Sequence, residues 1–116
     1  MILTVFRSRL RPEAQAEYGE LAPQMSKLAR SMPGYKSHKV FVVEDGERLT
    51  LVEFEDDTTQ FDWANHSEHR AAQKRGRSAF YSEYSLQICE VKRESRFSLQ
   101  AKRLADKVKF QTGGAN

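Results

Sequence analysis

The spacing of apolar and polar positions changes several times along the chain, and each change marks an element. The first stretch, Ile2-Leu3-Thr4-Val5-Phe6, is apolar on both faces and leads a strand to about Leu10. Such a run fits a central strand covered on both sides. Arg11-Pro12 ends it, with Pro12 suited to the first position of a helix. Tyr18, Leu21, Met25, Leu28 and Met32, joined by Ala22 and Ala29, then recur at helical spacing. Pro23 lies inside that stripe. Its ring clashes with the carbonyl four residues back, on Gly19, so a kink is expected there.

Met32-Pro33-Gly34 stops the helix. Tyr35 to Val43 reads as a strand, Glu44-Asp45-Gly46-Glu47 as a hairpin turn, and Arg48 to Glu55 as the returning strand. Asp57-Thr58-Thr59-Gln60 has the form of a capping box and opens a short helix carrying Phe61 and Trp63. A second helical piece spans about His66 to Ser78, and Tyr84 to Lys92 forms the last strand after an aromatic lead-in from Phe80. The order strand, helix, strand, strand, helix, strand is the split βαβ arrangement of a ferredoxin-like α+β fold with a four-stranded antiparallel sheet. Helices cover one face of such a sheet. The other face needs a cover, and a second copy related by two-fold symmetry is the expected one.

Composition narrows the class. With 116 residues the chain forms one domain with a modest core. No run approaches the roughly 18 apolar residues of a membrane span. A strand starts at the N-terminus with no signal-like core before it, so a cytoplasmic protein is expected. The single cysteine, Cys89, excludes an internal disulfide and a cysteine-rich zinc site, and its apolar strand marks it as a buried structural thiol. Residues 92–109 hold seven basic residues against Glu94 and Asp106, which leaves twelve basic and fourteen acidic residues elsewhere. The folded body is therefore mildly acidic, which argues against a nucleic-acid-binding core. The boundary falls near residue 93, with a domain over 1–93 and a basic tail over 94–116. In the tail Ala101, Leu104, Ala105 and Val108 share a helical face. That face would dock on a partner subunit or stay free for acidic surfaces.

Chemistry concentrates in Trp63-Ala64-Asn65-His66-Ser67-Glu68-His69, which holds the only tryptophan and two of the three histidines. Large aromatics beside imidazoles suit a pocket for a flat, oxidisable molecule, and they equally suit a packed helix corner. Together with Met32-Pro33-Gly34-Tyr35, Val52-Glu53-Phe54-Glu55, and the run through Tyr84, Gln87 and Cys89 to Val91, these residues resemble the antibiotic biosynthesis monooxygenase domain. The resemblance covers about residues 2–93. It implies a homodimeric α/β barrel that uses O₂ on small aromatic, phenolic or quinol-like substrates without flavin, metal or nicotinamide. Other members of the fold bind and degrade haem. That pattern wants an asparagine in the first strand and a histidine further down the helix after the tryptophan. Here Thr4, Phe6 and Ser8 stand in the first strand and Gln73 in the helix, so haem would depend on His66 or His69.

An O₂-using pocket of this kind needs a base, a donor for a developing oxyanion and a dry aromatic enclosure. Trp63 would stack on a planar substrate, or plug the gap between helix and sheet. His66, at the helix junction and matching the family's usual histidine, is the candidate base. His69 lies one turn on, and no carboxylate or cysteine completes a metal set with the pair. Tyr84 joins His66 and Trp63 in the catalytic set, and Tyr81 would offer a phenolic hydrogen bond. Asn65 would hold a substrate carbonyl or cap a helix. His38 would point into the cleft from the second strand. Glu53 would act as a base if it faced inward. Arg7 and Arg9 share a face of the first strand and would pair with Glu53 or Glu55. Ordinary packing also accounts for each of these residues, which leaves a non-catalytic dimeric binding module as the alternative from another class.

Overall fold

The computed structural model describes residues 1–99, so the expected tail helix lies outside the described residues. Strand β1 (Ile2–Leu10) leads through a short 3-10 turn at Pro12–Ala14 into helix α1 (Gln15–Ser31). Hairpin β2 (Tyr35–Val42) and β3 (Arg48–Phe54) follows, then α2 (Asp57–Ala64), α3 (Ser67–Arg75) and β4 (Tyr81–Glu90). The strands form one antiparallel sheet in the order β2-β3-β1-β4. β1 is central, as its apolar start predicts. The α+β, ferredoxin-like fold expected from the element order is the fold observed. No helix among the described residues is long and apolar enough to cross a membrane.

Helix α1 runs through Pro23 without a break, as the continuous apolar stripe implies. Several boundaries differ from the sequence reading, each for a local reason. The capping box sits one residue earlier than expected. Asp56, in extended backbone, accepts from the Thr59 N–H at 2.9 Å, and Thr59 Oγ1 accepts from the Asp56 N–H at 3.3 Å. The second helix of the pair ends at Arg75, and a single π turn over Gly76–Phe80 carries the chain back to the sheet. β4 therefore begins at Tyr81, three residues before the expected Tyr84. Arg11 fastens that corner, its N–H donating to the Phe80 carbonyl at 2.7 Å and its Nε to the Tyr81 carbonyl at 3.1 Å.

Pairing assigns the faces of the sheet. Thr4, Phe6, His38, Arg48, Thr50, Val52, Tyr84, Leu86 and Ile88 occupy mutually paired or alternating positions on the helix side. Leu3, Val5, Leu49, Leu51, Glu53 and Cys89 occupy the other side and are half-buried. Two register shifts alter this alternation. One lies between Arg9 and Leu10, where Leu10 pairs with Tyr81 and Arg9 with Glu83, leaving Ser82 as the extra residue. A bulge of this kind moves the residues beyond it to the opposite face. Tyr81 and Tyr84 thereby share the helix side, although their odd spacing alone would separate them.

The core joins α1, the sheet and α2. Ala29 and Phe54 are fully buried, with Val52 and Trp63 beside them and Met25, Leu28, Met32 and Tyr35 packed around. Gly34 has φ +81°, and a Cβ there would lie 2.5 Å from the Thr59 side chain. Only glycine lets the turn after α1 run this close to the cap of α2. Its carbonyl also accepts from the Glu55 N–H at 2.8 Å, which ties the turn to the end of β3.

Candidate functional site

A cavity of about 500 Å³ lies between the helix layer and the sheet. Its walls come from α1, all four strands, α2, α3 and the π turn. One end is aromatic. Trp63 is 6% exposed and lies nearly parallel to Phe54, with ring centroids 6.4 Å apart. The His69 ring stacks on the Trp63 indole at 3.8 Å and 13°. Helix α2 presents Trp63 because its cap sets the helix start, and the short corner at Asn65–His66 turns α3 back so that His69 faces the indole.

The hydrogen bonds of this corner define the imidazole. His69 Nδ1 lies 2.9 Å from the Trp63 carbonyl. A carbonyl can only accept, so Nδ1 carries the proton and Nε2 keeps its lone pair. Burial is the main influence on His69 and lowers its pKa, the Trp63 carbonyl opposes that, and nearby His66 lowers it further. The lowered pKa favours the neutral imidazole, which in this tautomer leaves the Nε2 lone pair free. Gln73 Nε2 donates to the Ala64 carbonyl at 3.2 Å and lies 3.5 Å from His69 Nδ1.

His66, the expected base, occupies a different role. It is the N-cap of α3, its Nδ1 accepting the Glu68 N–H at 3.2 Å, and it does not line the cavity. Asn65 lines the cavity but serves its own corner. Its Nδ2 donates to the Phe61 carbonyl at 2.9 Å, and its Oδ1 accepts from Arg70 Nη1 at 3.2 Å. His38 lines the cavity from β2, with Ser26 Oγ 3.3 Å from its Nδ1, and burial followed by Arg30 lowers its pKa. Glu53 stands on the opposite face of the sheet, where it accepts from Ser37 Oγ, so it cannot act in the cavity. Arg7 and Arg9 do not pair with Glu53 or Glu55. Arg7 forms a two-bond pair with Glu47, and Arg9 bridges Asp45 and Glu83.

At the β4 end the cavity is walled by tyrosines. Tyr81 and Tyr84 are 5.8 Å apart between ring centroids, and Tyr84 lies 5.4 Å from Phe6. Burial, with Tyr18 nearby, raises the Tyr81 phenol well above the usual tyrosine range and keeps it a donor. Tyr84 is 44% exposed, and with Leu86 and Ile88 it forms the open side of the cavity. Arg48 and Tyr18 are among the wall residues that sequence reasoning passed over as site candidates. The parity Arg48, Thr50, Val52 was legible as one face of a strand, but not the face on which the cavity would lie.

An aromatic-lined pocket, open along Tyr84, Leu86 and Ile88, lies between the helices and the sheet of a ferredoxin-like α+β domain. The chain belongs to the antibiotic biosynthesis monooxygenase family, whose sequence profile matches residues 1–75. It is 31% identical over 93 residues to the uncharacterised protein YqjZ of Bacillus subtilis, covering 80% of this chain and 82% of that one. Among solved structures it is similar to Rv0793 from Mycobacterium tuberculosis, at TM-score 0.72 and 14% identity, with 80% of this chain and 96% of that chain covered. It is also similar to SnoaB, a cofactor-independent oxygenase from Streptomyces nogalater, at TM-score 0.68 and 12% identity, with 80% and 94% covered. At those identities the structural neighbours speak for the fold. The matched segment contains Trp63 and His69 but not Tyr81 or Tyr84.

Proposed function

We propose that this protein is a cofactor-independent monooxygenase of small aromatic, phenolic or quinol-like substrates, acting as a cytoplasmic homodimer. The observation that carries the reading is the stacked Trp63–His69 pair, with its tautomer held by the Trp63 carbonyl, on a cavity of about 500 Å³. Family membership and a structural neighbour that is itself a cofactor-independent oxygenase support it. The outer face of the sheet, with Leu3, Val5, Leu49 and Leu51, is the surface a second copy would cover.

The chemistry needs little from the protein. His69 Nε2 takes one proton from an activated ring CH₂ of a phenolic substrate, leaving a carbanion delocalised into the ring. The resulting anion gives one electron to O₂, and the two radicals join to form a C–O bond and a peroxide. The imidazolium returns its proton to the distal oxygen. Loss of the remaining C–H proton and cleavage of the O–O bond then leave a carbonyl and one water. Trp63 holds the ring plane, and the Tyr81 and Tyr84 hydroxyls donate to the developing oxyanion.

The test is O₂ consumption by the purified chain with a panel of fused-ring phenols, in chelator and without flavin. Uptake with quinone formation is expected. A requirement for added flavin or metal overturns the reading. So does an unchanged rate in both His69→Gln and Trp63→Leu.

A further inference from the structure

The proposed oxidation makes no use of Arg48, and the cation's surroundings are unusual. Arg7, Arg9, Arg75 and Arg96 each pair with a carboxylate at the surface. Arg48 forms no ion pair among the described residues. It begins β3 on the cavity side, half-buried, with its guanidinium 5.0 Å above the Tyr18 ring. Its Nε is buried and has no hydrogen-bond partner. Three arginines, Arg48, Arg70 and Arg77, line this cavity, and no Asp or Glu does so among the described residues. Arg70 already donates to Asn65 Oδ1, whereas Arg48 is left with its Nε–H unanswered.

A buried donor without an acceptor, on a cation without a counterion, is costly to maintain. A ligand that supplies both removes the cost. The planar fork of a guanidinium matches a carboxylate with two parallel hydrogen bonds. We propose that Arg48 is the anchor for a carboxylate on the ligand, so that the aromatic substrate is an acid. This rests on the aromatic-substrate reading and narrows it. Position along the strand sets the ligand's length. Arg48 lies four residues before Val52, which packs in the cluster with Trp63. At strand rise that is about 13 Å, less the reach of the arginine. The carboxylate therefore sits at the tyrosine end while the ring to be oxidised lies on Trp63, a separation that suits a fused-ring acid. The Tyr18 ring lies against the anchor, with the Tyr81 ring 6.2 Å from that of Tyr18.

Calorimetric titration of the full chain with 2-naphthol, 6-hydroxy-2-naphthoate and its methyl ester tests this directly. The acid should bind at least tenfold more tightly than the ester, and added NaCl should weaken the acid alone. Arg48→Gln should abolish the preference while leaving the ester affinity unchanged, and Arg48→Lys should keep part of it. Equal binding of acid and ester overturns the anchor, as does a preference that survives in Arg48→Gln. If naphthol and ester bind and the acid gains nothing, only the anchor fails. If none of the three binds, the anchor and the aromatic-pocket reading fail together. A second measurement needs no ligand. Thermal unfolding of Arg48→Met, which keeps the apolar stem, should show a higher Tm than the parent. A lower Tm would mean that the guanidinium is already satisfied, and would also overturn the proposal.

Discussion

His69 takes two contacts from one residue: its ring lies 3.8 Å from the Trp63 indole, and its Nδ1 lies 2.9 Å from the Trp63 carbonyl. Trp63 thus sets both the plane and the tautomer of the imidazole. The two residues are six apart, across a helix end, a corner and the first turn of a second helix. Any change in that corner moves the base.

Two histidines in one heptapeptide should therefore behave differently on substitution. His69→Gln removes the basic nitrogen and is expected to lower kcat by about 10² to 10⁴-fold, the usual range for losing a general base. His66→Ala removes only the N-cap of α3, so it should cost about 1 kcal/mol of stability and leave kcat near the parent value. Rate measurements and denaturant melts on both variants check this, and a larger rate loss in His66→Ala would reverse the assignment.

The acid side of the stability profile follows from the same burial. Both His69 and His38 have pKa values lowered from 6.5, chiefly by desolvation. Below 6.5 the unfolded chain binds these protons before the folded one does, so stability falls as pH drops through that window and levels off beneath the folded pKa values. Tm measured from pH 7.5 to 5 should decline, and His69→Gln should show a shallower decline. The same lowered pKa keeps the base neutral, so kcat should hold from pH 7.5 down to 6.5 and fall only below that.

Trp63→Leu should be expensive, because the indole is 6% exposed and stands between Phe54 and His69. A loss of about 3 kcal/mol is expected from large-to-small core substitutions. Urea unfolding followed by far-UV circular dichroism measures it. A loss below about 1 kcal/mol would show that the tryptophan is not packed as described.

Gly34→Ala probes the link between the turn and the cap. The φ of +81° and the 2.5 Å approach to Thr59 act together, so the variant should lose about 1 to 3 kcal/mol. Gly46→Ala, with φ +92° but open space around it, should lose less. Parallel melts of the two variants separate steric conflict from backbone strain.

Haem titration followed by Soret absorbance discriminates the neighbouring chemistry. His66 is engaged as a helix cap away from the cavity, and the His69 ring is stacked flat on Trp63. No stoichiometric, shifted Soret band is expected from the wild-type chain. A band abolished by His69→Ala would instead assign that residue as an axial ligand.

Local pattern by itself determined the order of elements, the hairpin at Asp45–Gly46, the central place of β1 and the crowding of chemistry around Trp63. Each of these depends on periodicity or turn chemistry within a few residues. The partners of the charged and titratable groups did not follow from it. His66 and His69 look equivalent in the sequence, and only the angle between α2 and α3 gives one the cap and the other the cavity. Glu53 and Arg48 sit on one strand at odd spacing, and the pairing of β3 with β1 and β2 decides which of them faces the helices. Tyr81 reaches the cavity because a bulge at Ser82 reverses the alternation, and Arg48 forms no ion pair among the described residues, none of whose Asp or Glu side chains lines the cavity. Contacts of that kind join residues tens of positions apart, so they are settled when the layers pack, after local preference has set the strands and helices.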